Sequence, residues 1–362
     1  MIPDDPTSTG DRMMPSPRTD RVVHLLCNSH LDPVWLWEWP EGAGEALALA
    51  RTVCDLCEEF DGFIFNRNEV QFYEWIEEYD AALFARIRRL VASGRWHVMG
   101  GWYLQPDCNL PSGESFVRQI LAGRRYFREK FGVQPTTAVN WDSFGHSRGL
   151  VQILAKSGYD SYLFCRPFTN QMQVPAAEFT WIGFDGSEVT AALAESHYNS
   201  APGEAPAKIV EWMRRNSSKP VVQVPWGVGD HGGGPSRRDL RGIAKLMVET
   251  RDVGIVHSTP ERYFSDLRAR SGPLPRHAGD LNPWAVGCYT SMMRVKRRHR
   301  RLESELYLTE KMATTAWAQG LMDYPTVELV DATRALLRNE FHDVLPGTAI
   351  PSVERSALDD IG

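Results

Sequence analysis

From Arg21 onward, short runs of hydrophobic residues alternate with amphipathic stretches. Runs rich in β-branched and aromatic residues fall at 21–27 (RVVHLLC), 62–66 (GFIFN), 96–102 (WHVMGGW), 137–142 (TAVNWD), 161–166 (SYLFCR), 221–227 (VVQVPWG) and 253–258 (VGIVHS). Between them apolar positions recur three and four apart, as at Leu49, Val53, Leu56 and Phe60, the spacing of one helix face. Strand and helix alternating in this way is the signature of βα units on a parallel sheet. Seven such units predict an α/β fold with a closed or nearly closed (β/α)7 barrel over residues 21–272. The stretch from 178 to 219 breaks the rhythm with two further β-like runs (EFTWIGF and EVTAALA) and a short helix, and reads as an insertion over one edge. After residue 272 the sequence SGPLPRHAGDLNPWAVG marks a boundary. From 283 to 362 the pattern is helical only, with helices predicted over 292–322 and 326–339, the start of an α-helical bundle packed on the barrel.

Composition narrows the classes of function. With 43% hydrophobic and 24% charged residues among 362, the chain can bury a barrel-sized core. A formal net charge of −6 gives no broad attraction to a phosphate backbone, so nucleic acid is not the expected partner. Residues 1–20 are polar and proline-bearing and lack the apolar stretch of a secretory signal. No later run approaches the roughly 18 apolar residues of a membrane span. A disordered lead-in and a cytoplasmic location are expected. Cys27, Cys54, Cys57, Cys108, Cys165 and Cys288 are scattered; the one close pair, Cys54 and Cys57, has no second pair to complete a zinc ribbon and sits in a helical pattern, so buried thiols are expected.

In a parallel βα architecture, catalytic groups sit on loops past the C-terminal ends of the strands. Three such loops are polar and lie beside tryptophan: Asn28 to Trp35, with His30 and Asp32 two apart; Asn140 to His146, with Asp142; and Gly227 to Pro235, with Asp230 and His231. Imidazole and carboxylate are the donors of an open catalytic zinc site. Taken singly, His30 also fits a satisfied histidine at a loop edge, and Asp32 before Pro33 fits a turn former. Asp142 and Asp230 are the pair suited to glycoside chemistry, which needs one ionised carboxylate and one kept protonated. The glycines around Asp230 give a flexible loop able to bring it in from the opposite side; a phosphate cradle is the alternative, but the Lys-Ser/Thr ending of a P-loop is missing. Trp35, Trp37, Trp39 and Trp102 offer flat faces to sugar rings or serve as core filler; only Trp35 lies close enough to the His30/Asp32 pair to favour ligand contact. The basic run Arg294 to Arg301 suits either nucleic acid or a buttressing helix face.

Six ordered motifs are similar to the N-terminal part of the glycoside hydrolase family 38 α-mannosidases: NSHLDPVWLWEW at 28–39, GRWHVMGGWYLQPDCNLPSGES at 94–115, NWDSFGHS at 140–147, GVGDHGGGP at 227–235, GCYTS at 287–291 with the basic segment after it, and FHDVLPGT at 341–348. The resemblance implies zinc held by His30, Asp32, Asp142 and His342, and cobalt or manganese suit the same donors. It implies Asp142 as nucleophile and Asp230 as general acid/base, with net retention and a carboxylate separation of about 5–6 Å. Trp35, Asp107, Arg166 and Asp343 would contact or orient an α-mannoside, Arg166 holding the Asp142 carboxylate. Relatives continue into a completed bundle and β-sandwich domains, so further domains or a homo-oligomer would cover the apolar surface of the bundle. A zinc-dependent carbohydrate deacetylase and a non-catalytic zinc- and glycan-binding module are the competing readings. The basic segment, shared with the family, is expected to buttress.

Overall fold

The computed structural model describes residues 19–362, so all but the last two residues of the expected lead-in lie outside the described residues. Ten strands and eleven α-helices follow one another in the described residues: β1 (Val22–Asn28), α1 (Trp39–Glu59), β2 (Phe65–Arg67), α2 (Val70–Tyr79), α3 (Ala81–Ala92), β3 (Trp96–Val98), α4 (Gly113–Phe131), β4 (Thr137–Asn140), α5 (Leu150–Lys156), β5 (Ser161–Phe164), β6 (Glu178–Ile182), β7 (Glu188–Leu193), α6 (Ala205–Arg215), β8 (Val221–Trp226), α7 (Arg237–Glu249), β9 (Gly254–His257), α8 (Pro260–Arg270), β10 (Arg276–His277), α9 (Met293–Ala318), α10 (Thr326–Asn339) and α11 (Pro351–Asp360). All seven expected strands form. Several stop short of their apolar runs, and residues 99–102, 141–142 and 165–166 leave the sheet as loops.

A closed seven-unit barrel does not form. The strands divide into two five-stranded sheets, β3-β2-β1-β8 with β9 also on β1, and β10-β6-β7-β5-β4. In the first, β1 pairs along its length with β8, while its other edge is shared: residues 22–25 pair with β9, and Cys27 and Asn28 with β2. Asn66 fills the fork, its side-chain nitrogen donating to both Cys27 O and Ser258 O at 3.0 Å. Side chains bridge between the two sheets instead. Asn68 Nδ2 and Trp102 Nε1 both donate to Val139 O at 3.1 Å, and Gln223 Nε2 donates to Leu193 O at 3.3 Å. Backbone polar groups must be paired when buried, and these amides and indole do at the seams what a strand ladder does elsewhere.

The stretch read as an edge insertion belongs to the second sheet. β6 and β7 form an antiparallel hairpin, and β7 lies parallel beside β5. The glycine- and proline-rich segment read as a boundary after 272 contributes β10 beside β6 and then bridges Leu281 to His146. Leu26, Val139, Leu163, Ala192 and Val221, from β1, β4, β5, β7 and β8, form one buried cluster drawn from both sheets. The strands are therefore apolar on both faces, which is why they read as continuous hydrophobic runs.

The helices α9 and α10 match the expected spans within a few residues. The basic run proves to be a buttress. Lys296 Nζ donates to Ser291 O, Leu345 O and Pro346 O at 2.6, 2.8 and 2.9 Å. Arg294 pairs with Glu354, and Arg298 donates to Leu358 O.

Candidate metal and carbohydrate site

β1 runs into the loop that carries His30 and Asp32, both 1% exposed. His30 Nε2 lies 2.8 Å and His342 Nε2 3.4 Å from the same atom, Asp32 Oδ1. The two imidazoles stack, with centroids 5.3 Å apart and planes at 25°. Trp37 Nε1 donates to Asp32 O at 2.9 Å and fixes the turn. His342 comes from the segment after α10, pinned to the loop after β3 by a Pro106–Phe341 bridge, by Asp107 N–H donating to Glu340 O at 2.8 Å, and by a 3.0 Å contact from His342 Nδ1 to Gln105 O.

Three buried atoms, His30 Nε2, Asp32 Oδ1 and His342 Nε2, make no well-aligned hydrogen bond, and the ligand atoms of the three residues lie within 4.8 Å of one another. Buried polar groups left without partners are costly, and two imidazole nitrogens with a carboxylate oxygen are a zinc donor set. The residues therefore fit the metal that the sequence implied. Burial opposes charge on His30, but Asp32 outweighs it and raises the pKa above 6.5. For His342, burial is again outweighed, by contact with Asp32 and the charge of Asp343, and the pKa is pushed up to about 9. Burial likewise disfavours the Asp32 carboxylate, yet the two imidazoles hold its pKa well below the ordinary carboxylate range.

Asp142, expected as a fourth ligand, is not one of the three gathered groups. Its Oδ1 accepts from Arg166 Nε, and Arg166 in turn lies 4.2 Å from the ring centre of Trp284. The negative charge of Asp142 helps to raise the pKa of both His342 and Asp343. Arg166 thus holds Asp142 as expected, between the end of β4 and the end of β5. His146 supports the arrangement from behind: one ring nitrogen lies 2.8 Å from Arg166 O and the other 2.7 Å from Tyr162 Oη.

Asp230 lies in the loop after β8 with φ +63. That loop is held rather than free. Val228 and Gly234 exchange two 2.9 Å backbone hydrogen bonds, Asp32 N–H donates to Asp230 O at 2.9 Å, and His231 Nε2 lies 2.6 Å from Glu41 Oε1. Tyr198 Oη donates to Asp230 Oδ1 at 2.5 Å, and its ring meets that of His30 edge-on at 5.1 Å. Lys208 Nζ clamps the turn that carries Tyr198, donating to His197 O and Asn199 O at 2.8 Å; burial lowers the pKa of this lysine to about 7.

The remaining expected residues divide. Asp343, directly after His342, accepts from Thr348 Oγ1, and burial raises its pKa to about 7. Asp107 is fully buried; Oδ1 accepts Asn109 N–H and Leu110 N–H at 2.9 and 2.6 Å, while Oδ2 has no partner. Trp35 is partly exposed and its carbonyl accepts Ile350 N–H at 2.9 Å, which sets it beside the segment after His342. Trp37 and Trp102 are buried and structural, and Trp39 opens α1.

Sequence reasoning missed Tyr198 and Gln105. Tyr198 follows β7, in the stretch read as an insertion, so its place at a strand end was hidden. Gln105 lay inside a quoted motif, and its amide gave no signal without the fold. A second buried trio, His299, Glu303 and Glu340, also has ligand atoms within 4.8 Å, but its carboxylate oxygens are occupied. Glu303 accepts from Ser112 N, Ser115 Oγ and Arg300, and Glu340 contacts His299 and accepts from Gln119. This trio clamps α9 and the end of α10 to the start of α4.

Residues 20–286 match the glycosyl hydrolases family 38 N-terminal domain, and residues 284–361 the alpha mannosidase middle domain. The chain belongs to glycoside hydrolase family 38. It is 30% identical over 346 residues to alpha-mannosidase 2C1 of Mus musculus, a match covering 94% of this chain and 33% of that protein. It is also 30% identical over 336 residues to alpha-mannosidase G of Dictyostelium discoideum, covering 91% of this chain and 30% of that protein. The chain thus spans about a third of the length of these curated relatives. Among solved structures, an alpha-mannosidase from Enterococcus faecalis V583 shares the fold with a TM-score of 0.80 at 21% identity, over 94% of this chain and 40% of that one.

Proposed function

We propose that this chain carries the centre of a zinc-dependent, retaining exo-α-mannosidase acting on terminal α-mannosides. The observation that carries the proposal is the convergence of His30 Nε2 and His342 Nε2 on Asp32 Oδ1, with Asp142 held nearby by Arg166. His30, Asp32 and His342 would hold the ion, joined by Asp142. Bound there, zinc acts as a Lewis acid toward sugar hydroxyl oxygens and favours ionised carboxylates around it.

The chain's own groups account for the rest. Arg166 aims the Asp142 carboxylate. The Asp142 carboxylate attacks the anomeric carbon as the glycosidic C–O bond breaks, and Asp230 gives its proton to the leaving oxygen. Asp230 then takes a proton from water, whose oxygen displaces Asp142 and regenerates both carboxyl groups. Two displacements at one carbon retain its configuration, and the Asp142 and Asp230 carboxyls belong about 5–6 Å apart. Tyr198 occupies one oxygen of Asp230 and leaves the other for the proton in flight. Trp35, Asp107 and Asp343 would bind the sugar.

Residues 21–272 form the catalytic unit in this reading, and 283–362 a second unit that lends His342. A cytoplasmic setting fits the six buried cysteines, all free. Among the described residues no helix is long and apolar enough to cross a membrane. Hydrolysis of an aryl α-mannoside is the test, with and without zinc and with Asp142→Asn. Turnover that needs both metal and Asp142 supports the proposal; turnover unaffected by chelation or by the Asn variant overturns it.

A further inference from the structure

Beneath the three metal-fitting groups runs a chain of buried polar residues that this chemistry leaves without a role. Gln105, fully buried in the loop after β3, touches the site at three points. Its amide nitrogen lies 2.7 Å from Glu69 Oε1 and 3.1 Å from His30 Nδ1. Its amide oxygen accepts Trp141 N–H at 2.6 Å, one residue before Asp142. Its backbone oxygen is the 3.0 Å partner of His342 Nδ1. The amide can face only one way, because a backbone N–H demands the oxygen and a carboxylate demands the nitrogen. Glu69 Oε2 accepts from Arg67 Nη2 at 2.8 Å, and Arg67 Nη1 donates to Ser29 O at 2.6 Å, one residue before His30. Arg67 and Glu69 are 3% and 1% exposed.

Two features show that this arrangement is built at a cost. Glu69 has φ +70, a left-handed conformation that strains a non-glycine residue. A buried ion pair is also often no more stabilising than apolar residues of the same volume. A chain of this kind that ends on two imidazoles and on the backbone before a carboxylate gives fixed geometry in return.

We propose that Arg67, Glu69 and Gln105 are the positioning residues of the metal centre, with Gln105 setting the His342 ring through its backbone oxygen and the approach of Asp142 through its amide oxygen, and Arg67 fixing the backbone before His30. The proposal rests on the metal reading above. Partners that orient metal-binding histidines typically contribute 10–100-fold to affinity.

The experiment is zinc affinity of the 362-residue chain by chelator competition, with melting of the metal-free protein alongside. The variants are Gln105→Leu, Gln105→Glu and the swap Glu69→Gln/Gln105→Glu. Expected are a loss of roughly 10–100-fold in zinc affinity for each single variant and recovery in the swap. There the amide at position 69 donates to the carboxylate at position 105, which still accepts Trp141 N–H. A purely structural role would move the melting temperature and leave affinity alone. Wild-type affinity in Gln105→Leu or Gln105→Glu, or a swap that binds no tighter than Gln105→Glu, overturns the proposal. If Gln105→Leu fails to fold, Gln105→Glu against the swap decides. A folded wild-type chain that binds no zinc overturns the metal reading, and the proposal with it.

Discussion

Asp142 and Arg166 show how much a single side chain can be asked to do. A guanidinium presents Nε and two terminal nitrogens in a fixed plane, whereas lysine offers a point charge on a flexible stem. Arg166→Lys is therefore expected to lower kcat by about 10- to 100-fold with zinc affinity little changed, since a hydrogen bond to a charged group contributes about 1.5–3 kcal/mol; steady-state kinetics with a chelator titration check it. His146, which touches the Arg166 carbonyl, makes a second test. Burial lowers its pKa from 6.5 to about 4, so the unfolded chain takes up a proton before the folded one does. The stability this gives is full above pH 6.5 and is lost as pH falls towards 4, to a total of roughly 3 kcal/mol. His257 is shifted to about 4 in the same way. Urea midpoints at pH 7 and pH 5 should converge in His146→Gln relative to wild type; an unchanged gap contradicts this origin of acid sensitivity.

At the scale of elements, the loop after β8 depends on a glycine. Gly227 has φ +118, and a Cβ there would lie 2.0 Å from Asn28 O. Left-handed strain and a backbone clash act together, so Gly227→Ala should cost at least about 2 kcal/mol and move Asp230 off its contact with Asp32 N–H. Denaturation together with activity of the variant measures both effects. The elements themselves were largely legible. Strands buried along their whole length, such as β1, β5 and β8, announce themselves as apolar runs, and Leu49, Val53 and Leu56 mark the inner face of α1. Closure was not legible. Whether β3 finds β4 depends on Asn68 and Trp102 reaching Val139 O across a seam, and no periodicity encodes a contact of that kind. The place of β7 was hidden for a related reason: it enters the sheet through a hairpin, not through its own βα unit, and Tyr198 was lost with it.

At the scale of the molecule, the site is assembled from segments more than 300 residues apart. His30 follows from the βα pattern, because it sits just past the first strand. His342 does not: it lies at a helix end with no strand before it, and only the FHD motif pointed there. What delivers it is the clamp of Glu303 and Glu340 with Ser112, Ser115, Gln119 and His299. Breaking one partner of a buried charged network typically costs about 3–5 kcal/mol. Glu303→Ala should accordingly loosen α9, raise amide exchange over residues 293–345 and weaken zinc binding although no ligand is altered; unchanged zinc affinity would show that His342 is held without the clamp.

The central claim, that the buried trio of the β1 loop and the FHD motif is a metal site, is tested most directly by a crystal structure with data collected on both sides of the zinc absorption edge. The expected result is one anomalous peak bounded by His30 Nε2, Asp32 Oδ1 and His342 Nε2, with an Asp142 oxygen beside it. A peak among His299, Glu303 and Glu340 instead, or none at all in zinc-saturated crystals, would contradict the assignment.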